Sequence, residues 1–266
     1  MTTASTTSSA RPQLRLLDLE VDPTEGHYRF CTPDAHFKYV TINTDVFPLL
    51  TMCAEAYLLP LLPPFPSGDW NTGRIAKDIT SGQPCFTSVK KEDLPTIATW
   101  HPRLVNYLDL RIDEELRIKV YEATDTLTDA PVIAKYARFP SEIAFLAAET
   151  RAYAWIEGTG IGPKFLGHIT EEDRAIGILL ERVVGARHAR PEDLALCRRS
   201  LARLHALGVK HGDVNRHNFL VLGRRAVLID FEAAERCEDA LVLGLEMEGL
   251  EAALRDTTHA GGMLIS

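Results

Sequence analysis

Between His211 and Asn218 the chain reads HGDVNRHN, an acidic side chain five positions before an asparagine, and the apolar run FLVL follows at once. A turn with Gly223 and a second apolar run, Ala226 to Ile229, then lead into Asp230-Phe231. An Asp ahead of an Asn is by itself ordinary turn chemistry. Two apolar runs followed by a further Asp suggest more. Metal-dependent phosphoryl transfer needs one carboxylate to accept or orient an attacking hydroxyl, and a second carboxylate with a neutral oxygen to hold Mg2+ against the phosphates. A hairpin with Asp213 and Asn218 on one side and Asp230 on the other can gather all three groups.

The elements that must position this loop can be read upstream and downstream of it. Arg117 to Ala123 alternates apolar and polar residues and predicts a strand; Pro131 to Ala137 predicts a second, giving an antiparallel hairpin. Ser141 is the expected N-cap of a helix running to about Glu157, with Ile143, Leu146, Tyr153 and Ile156 on one apolar face and Gly158 ending it. Phe165 to His168 and Ala175 to Arg182 predict two more strands. Pro191 to Leu207 predicts a helix stopped by Gly208, and Asp239 to Leu254 a last one. Residues 1–11 are Ser/Thr-rich and expected to be disordered. In the region 12–106, Phe47 to Leu62 predicts a buried helix between two prolines, with a membrane-surface helix as the alternative.

Bulk properties narrow the class. At 266 residues the chain is long enough for one large domain or two lobes, and its net charge of -8 argues against a nucleic-acid partner. The five cysteines are scattered without a C-x-x-C pair, which fits a reducing, cytoplasmic location rather than a disulfide framework or zinc site. No apolar h-region follows the polar start, and the Phe47 to Leu62 run is short and interrupted by Pro48, Glu55 and Pro60, so neither a secretory signal nor a membrane span is expected.

The H-x-D-x4-N and D-F pattern resembles the catalytic and metal loops of the protein-kinase superfamily. The H-G-D start and short C-terminal remainder look more like its atypical members: RIO kinases, lipopolysaccharide (Kdo) kinases and aminoglycoside/choline phosphotransferases. The stretch GDWNTGRIAKD, Gly68 to Asp78, is similar to one in a group of short fungal kinase-like proteins. The resemblance spans roughly Tyr107 to Leu254. It implies an α+β, two-lobe fold: an N-lobe over 107–183 with a small antiparallel sheet, an abbreviated helical C-lobe over 184–266, and the 12–106 region packed on that body. It also implies ATP and Mg2+ as cofactors and a hydroxyl acceptor on a protein or small molecule. Asp213 would then match the catalytic base, Asn218 and Asp230 the metal ligands, His211 the brace of the catalytic loop, and Lys135 in VIAK the lysine on the phosphates. Glu149 would be its ion-pair partner, with Glu142 as rival. Leu179 to Arg182 would link the lobes where adenine meets the backbone.

Three departures stand out. No glycine lies between Arg111 and Lys135, where standard kinases carry a Gly-rich loop. Glu232 stands where Asp-Phe is usually followed by glycine, and no A-P-E segment follows. These features keep two other functions open: an inactive pseudokinase or scaffold, whose partner could dock through the N-terminal region, and a kinase-like fold recruited to different small-molecule chemistry.

Overall fold

The computed structural model describes residues 14–256, so the predicted disordered tail lies outside the described residues. The chain divides into two compact units, one ending at Leu94 and one starting at Pro95.

The first unit is a five-stranded sheet built from β1 (Arg15–Val21), β2 (Glu25–Cys31), β3 (Phe37–Asn43), β4 (Thr72–Lys77) and β5 (Pro84–Lys90), in sequential order. All neighbours are antiparallel except β3 and β4. A parallel pair needs a crossover, and residues between Asn43 and Thr72 supply it. Tyr28, Phe30, Val40, Ile42 and Ile75 from the strands bury against Met52, Leu58 and Trp70 from that crossover. The helix expected over Phe47 to Leu62 is not continuous. It breaks into α1 (Leu49–Met52), α2 (Glu55–Leu58) and a 3-10 turn over Leu59–Leu61. Met52 and Leu58 turn inward while Leu49, Leu50, Tyr57 and Leu61 are exposed. The run is apolar on every face, so it has no single stripe to hold one helix axis on the core, and Pro60 interrupts the helical bonding.

The second unit opens with β6 (Leu104–Asn106), β7 (Leu110–Arg117), β8 (Val120–Asp125), β9 (Ala130–Tyr136), helix α3 (Ile143–Ile156), β10 (Phe165–Glu171) and β11 (Arg174–Glu181). They form a sheet in the order β6-β10-β11-β9-β8-β7, antiparallel except for the β6–β10 edge. The unit starts about a dozen residues earlier than the boundary after residue 106 read from the sequence: Thr96 and Ile97 bond to the Ala175 carbonyl on β11, and β6 joins this sheet. The strand expected over Arg117 to Ala123 is instead a strand end, a tight turn at Ile118-Lys119 and a new strand. Lys119 adopts φ 66, a left-handed conformation that lets the chain reverse in two residues. Helix α3 buries Ile143, Leu146, Ala152, Tyr153 and Ile156. Ser141 is not its cap. Glu142 occupies the N-cap position without a side-chain cap bond, and its carboxylate accepts instead from the preceding N–H groups of Arg138 (2.7 Å) and Phe139 (3.3 Å).

The remainder holds two longer helices and short strand pairs. These are β12 (Arg187–His188), α4 (Leu194–His205), β13 (Val209–Lys210), β14 (Phe219–Leu222), β15 (Arg225–Leu228), β16 (Glu235–Arg236) and α5 (Ala240–Arg255). Helix α4 turns Cys197, Leu201 and Leu204 into the core, each leucine contributing about 2 kcal/mol by burial. Strands β12, β14 and β15 form one small sheet, and β13 pairs with β16. Asp239 caps α5, its side chain accepting from the Leu241 N–H at 2.8 Å. The unit is thus α+β, with a largely antiparallel N-terminal sheet and few helices, in a two-lobe kinase-like arrangement. The five cysteines are free. Among the described residues no helix is long and apolar enough to cross a membrane.

Candidate active site

The β14–β15 hairpin fixes the spacing that the sequence suggested. Phe219 pairs with Leu228 across the hairpin, and the Ile229 N–H donates to the Asn218 carbonyl at 3.0 Å. Asn218, just before β14, and Asp230, just after β15, are therefore held at the same end. Asn218 is fully buried, and its Nδ2 donates to the Asp213 carbonyl and to Asp213 Oδ2, both at 2.9 Å. Asn215 Nδ2 reaches the same carboxylate oxygen at 3.2 Å. Asp213 itself is exposed, and its Oδ1 has no hydrogen-bond donor among the described residues. A carboxylate steadied on one oxygen and open on the other is arranged to receive a proton from outside.

His211 is buried beneath this loop. Burial pushes its pKa down, so the ring is neutral. Its Nε2 donates to the Ile229 carbonyl at 3.1 Å, and its ring lies 5.2 Å from that of buried Phe231, so it ties the His211–Asn218 loop to the segment carrying Asp230. A second tether was not visible in the sequence. Glu246 on α5 accepts from the backbone N–H groups of His211 (3.1 Å) and Gly212 (2.7 Å), and from His205 Nε2 (2.7 Å). Burial alone would raise its pKa, but these donors outweigh it and hold the carboxyl below the usual range. A lone glutamate on a helix 33 residues past Asp213 gives no sequence signal.

Lys135 on β9 and Glu149 on α3 come together at 2.5 Å, and Lys135 Nζ also lies 3.0 Å from Asp230 Oδ1. Of the two candidate partners it is Glu149 that meets Lys135. Glu142 pairs with Arg138 (2.9 Å) and Lys119 (3.5 Å). Burial opposes the charge on Lys135, but the carboxylates of Glu149, Asp230 and Glu232 outweigh it and raise its pKa. Burial raises the Glu149 carboxyl against the pull of Lys135. Asp230 is also desolvated, yet Lys135 and Arg117 together hold its carboxyl below the usual range. Arg117 Nη1 sits 3.0 Å from Asp230 Oδ2, a contact the strand reading of Arg117 did not anticipate. Asp230 adopts φ 67, a left-handed conformation costing about 1–2 kcal/mol for a residue with a Cβ. That cost is borne where the Phe231 side chain is anchored under α3, 5.2 Å from the Tyr153 ring.

Next to these charges is a cavity of about 360 Å³. Val120, Ile133, Leu180, Leu220 and Ile229 give it apolar walls, and Arg117, Lys135 and Asp230 give it a charged end. Glu181, Arg182 and Val183, at and just past the end of β11, also line it. An apolar slot with charge at one end suits a flat heterocycle bearing an anionic tail.

The donor set also fits a divalent cation. Asn218 Oδ1 is buried without a hydrogen-bond partner, an unusual state for a buried amide oxygen. Carboxylate oxygens of Glu149, Asp230 and Glu232 lie within 4.8 Å of one another. Neutral and anionic oxygens are the ligands Mg2+ prefers. Asn218 Oδ1, without a partner, and the Asp230 carboxylate stand at the same end of the β14–β15 hairpin and are the pair that would hold it.

Comparison with known proteins agrees with this arrangement. Residues 185–240, which include Asp213, Asn218 and Asp230, match the lipopolysaccharide kinase (Kdo/WaaP) family. A probable bifunctional tRNA threonylcarbamoyladenosine biosynthesis protein of Methanoculleus marisnigri is 29% identical over 115 residues, 42% of this chain. The aligned part is 21% of that relative's length. Together with the fold, these matches are consistent with the atypical protein-kinase-like superfamily, and the Kdo/WaaP match supports a kinase-type phosphotransferase.

Proposed function

We propose that the second unit transfers the γ-phosphoryl group of ATP to a hydroxyl acceptor, using Mg2+. The observation that carries this reading is the meeting of Lys135 and Asp230 at the charged end of an apolar cavity, with Asn218, bonded to the half-open carboxylate of Asp213, at the Asp230 end of the same hairpin. Val120, Ile133, Leu180 and Leu220 enclose the base and exclude water. Lys135, held rigid by Glu149, neutralises phosphate oxygens. Asn218 Oδ1 and Asp230 hold the metal, which when bound supplies charge neutralisation on the phosphates. Asp213 takes the proton of the acceptor hydroxyl as its oxygen bonds to phosphorus and the bond to the ADP oxygen breaks. The acceptor, on a protein or a small molecule, meets Asp213 from the solvent side.

A second reading, nucleotide binding without turnover, has one observation behind it. Glu232, in place of glycine, brings a further carboxylate within 3.5 Å of Lys135 and competes with phosphate for it.

Calorimetric titration with ATP, with and without Mg2+, tests the site. Wild type should bind in an Mg2+-dependent manner, and Asp230→Asn should lose that dependence. Asp213→Ala should keep ATP affinity within about threefold while losing two to four orders of magnitude in turnover. Normal turnover by Asp213→Ala would remove the base from the scheme, and ATP binding by wild type with no turnover on any acceptor would favour the second reading.

A further inference from the structure

The turn between β7 and β8 borders the cavity through Leu116, Arg117 and Val120, and no glycine occurs between Arg111 and Lys135. Without glycine, side chains hinder the close approach of this turn's backbone N–H groups to phosphate. The turn carries two cations instead. Lys119 is engaged away from the cavity, 3.5 Å from Glu142 and over the ring of Phe145 at 5.1 Å. Arg117 lines the cavity, and its guanidinium is paired with Asp230 Oδ2 at 3.0 Å. Lys135 already neutralises the other oxygen of that carboxylate. Arg117 therefore sits on the carboxylate that would ligate the metal.

That position has a consequence for charge. A divalent cation and a guanidinium cannot share one carboxylate oxygen without strong repulsion at contact distance. The cation arrives with polyphosphate, whose oxygens are better guanidinium acceptors because they allow paired, charge-assisted hydrogen bonds. The side chain is long, partly exposed (24%) and rooted at a turn, so it can swing between the two partners without moving a strand.

We propose that Arg117 replaces the missing glycine loop. It neutralises Asp230 while no metal is bound, and transfers to the β- and γ-phosphate oxygens of a nucleoside triphosphate once a divalent cation occupies Asp230. This rests on the phosphotransferase reading above.

Three titrations on the full chain, wild type against Arg117→Ala and Arg117→Lys, test it: Mg-ATP, adenosine, and Mn2+ alone followed by its electron paramagnetic resonance signal. Arg117→Ala should weaken Mg-ATP at least tenfold, leave adenosine within twofold, and bind Mn2+ alone more tightly than wild type. Arg117→Lys should fall between, since it keeps the charge and loses the fork. Equal losses for ATP and adenosine, no loss for either, or unchanged Mn2+ affinity would overturn the proposal. If wild type binds adenosine and Mg-ATP but Arg117→Ala does so equally well, the Arg117 role fails alone. If wild type binds neither, the phosphotransferase reading fails and takes this inference with it.

Discussion

The charges at Lys135, Glu149 and Asp230 form one unit in which no member is stable alone. Lys135 is almost fully buried and Glu149 wholly so, and burial of either charge by itself would cost several kcal/mol. Their pairing offsets that cost and fixes the ammonium group where it faces the cavity. Glu149→Ala leaves Lys135 with Asp230 and Glu232 as partners, but opens a hole under α3 and frees the ammonium to lean onto Asp230. Urea unfolding should show a loss of about 3 kcal/mol, and Mg-ATP binding should weaken. Unchanged stability would mean that the pair is not formed in solution.

At the scale of elements, helix α5 anchors the start of the His211–Asn218 loop, beside the loop's own bonds from Asn215 and Asn218 to Asp213. Glu246 satisfies two backbone donors of the loop and a histidine from α4 at once. Removing it strands these donors in a partly buried place, at about 1–3 kcal/mol. Glu246→Ala should raise hydrogen exchange at His211 and Gly212 and lower turnover more than ATP affinity, because the loop carries Asp213 while Lys135 and the cavity walls lie elsewhere. Exchange at these amides identical to wild type would show that the loop is fixed by other contacts. Gly212 explains why the loop cannot be re-anchored by a larger residue: it adopts φ 82, and a Cβ there would strike the Ala233 carbonyl oxygen.

At the scale of the whole molecule, a buried histidine couples stability to pH. His168 on β10 is fully buried, and its Nε2 accepts from the N–H groups of Trp100 (3.1 Å) and His101 (3.3 Å), pinning the segment that leads into β6. Burial pushes its pKa down to about 4 from the ordinary 6.5. Between these values the unfolded chain binds a proton that the folded chain does not, so the contribution is complete above about pH 6.5 and is lost as pH falls toward 4. The difference corresponds to on the order of 3 kcal/mol. Urea unfolding at pH 7, 5.5 and 4 should give a steeper loss for wild type than for His168→Gln, whose amide keeps an acceptor but does not titrate in this range. Parallel curves would place the pH sensitivity elsewhere.

The sequence by itself determined the chemistry-bearing loop. Asp213, Asn218 and Asp230 are tied to one hairpin, and two short apolar runs around Gly223 suffice to bring them to one end. Helix α4 and the start of α5 were also legible, since a periodic apolar stripe, a glycine stop and an aspartate cap are local signals. Contacts across long separations were decided only in the tertiary structure. Lys135 meets Glu149 rather than Glu142 because Glu149 is buried on α3, while the Glu142 carboxylate is taken by the backbone N–H groups of Arg138 and Phe139 and by the Arg138 guanidinium. The reversal at Ile118-Lys119 has no glycine to announce it, so its strand pairing and the aim of Arg117 toward Asp230 emerge only when β7 and β8 are side by side. The five-stranded sheet of the first unit was likewise hidden: its strands mix charged, polar and apolar residues, as in Glu25–Cys31 and Thr72–Lys77, and their apolar side chains find one core only when the strands pair.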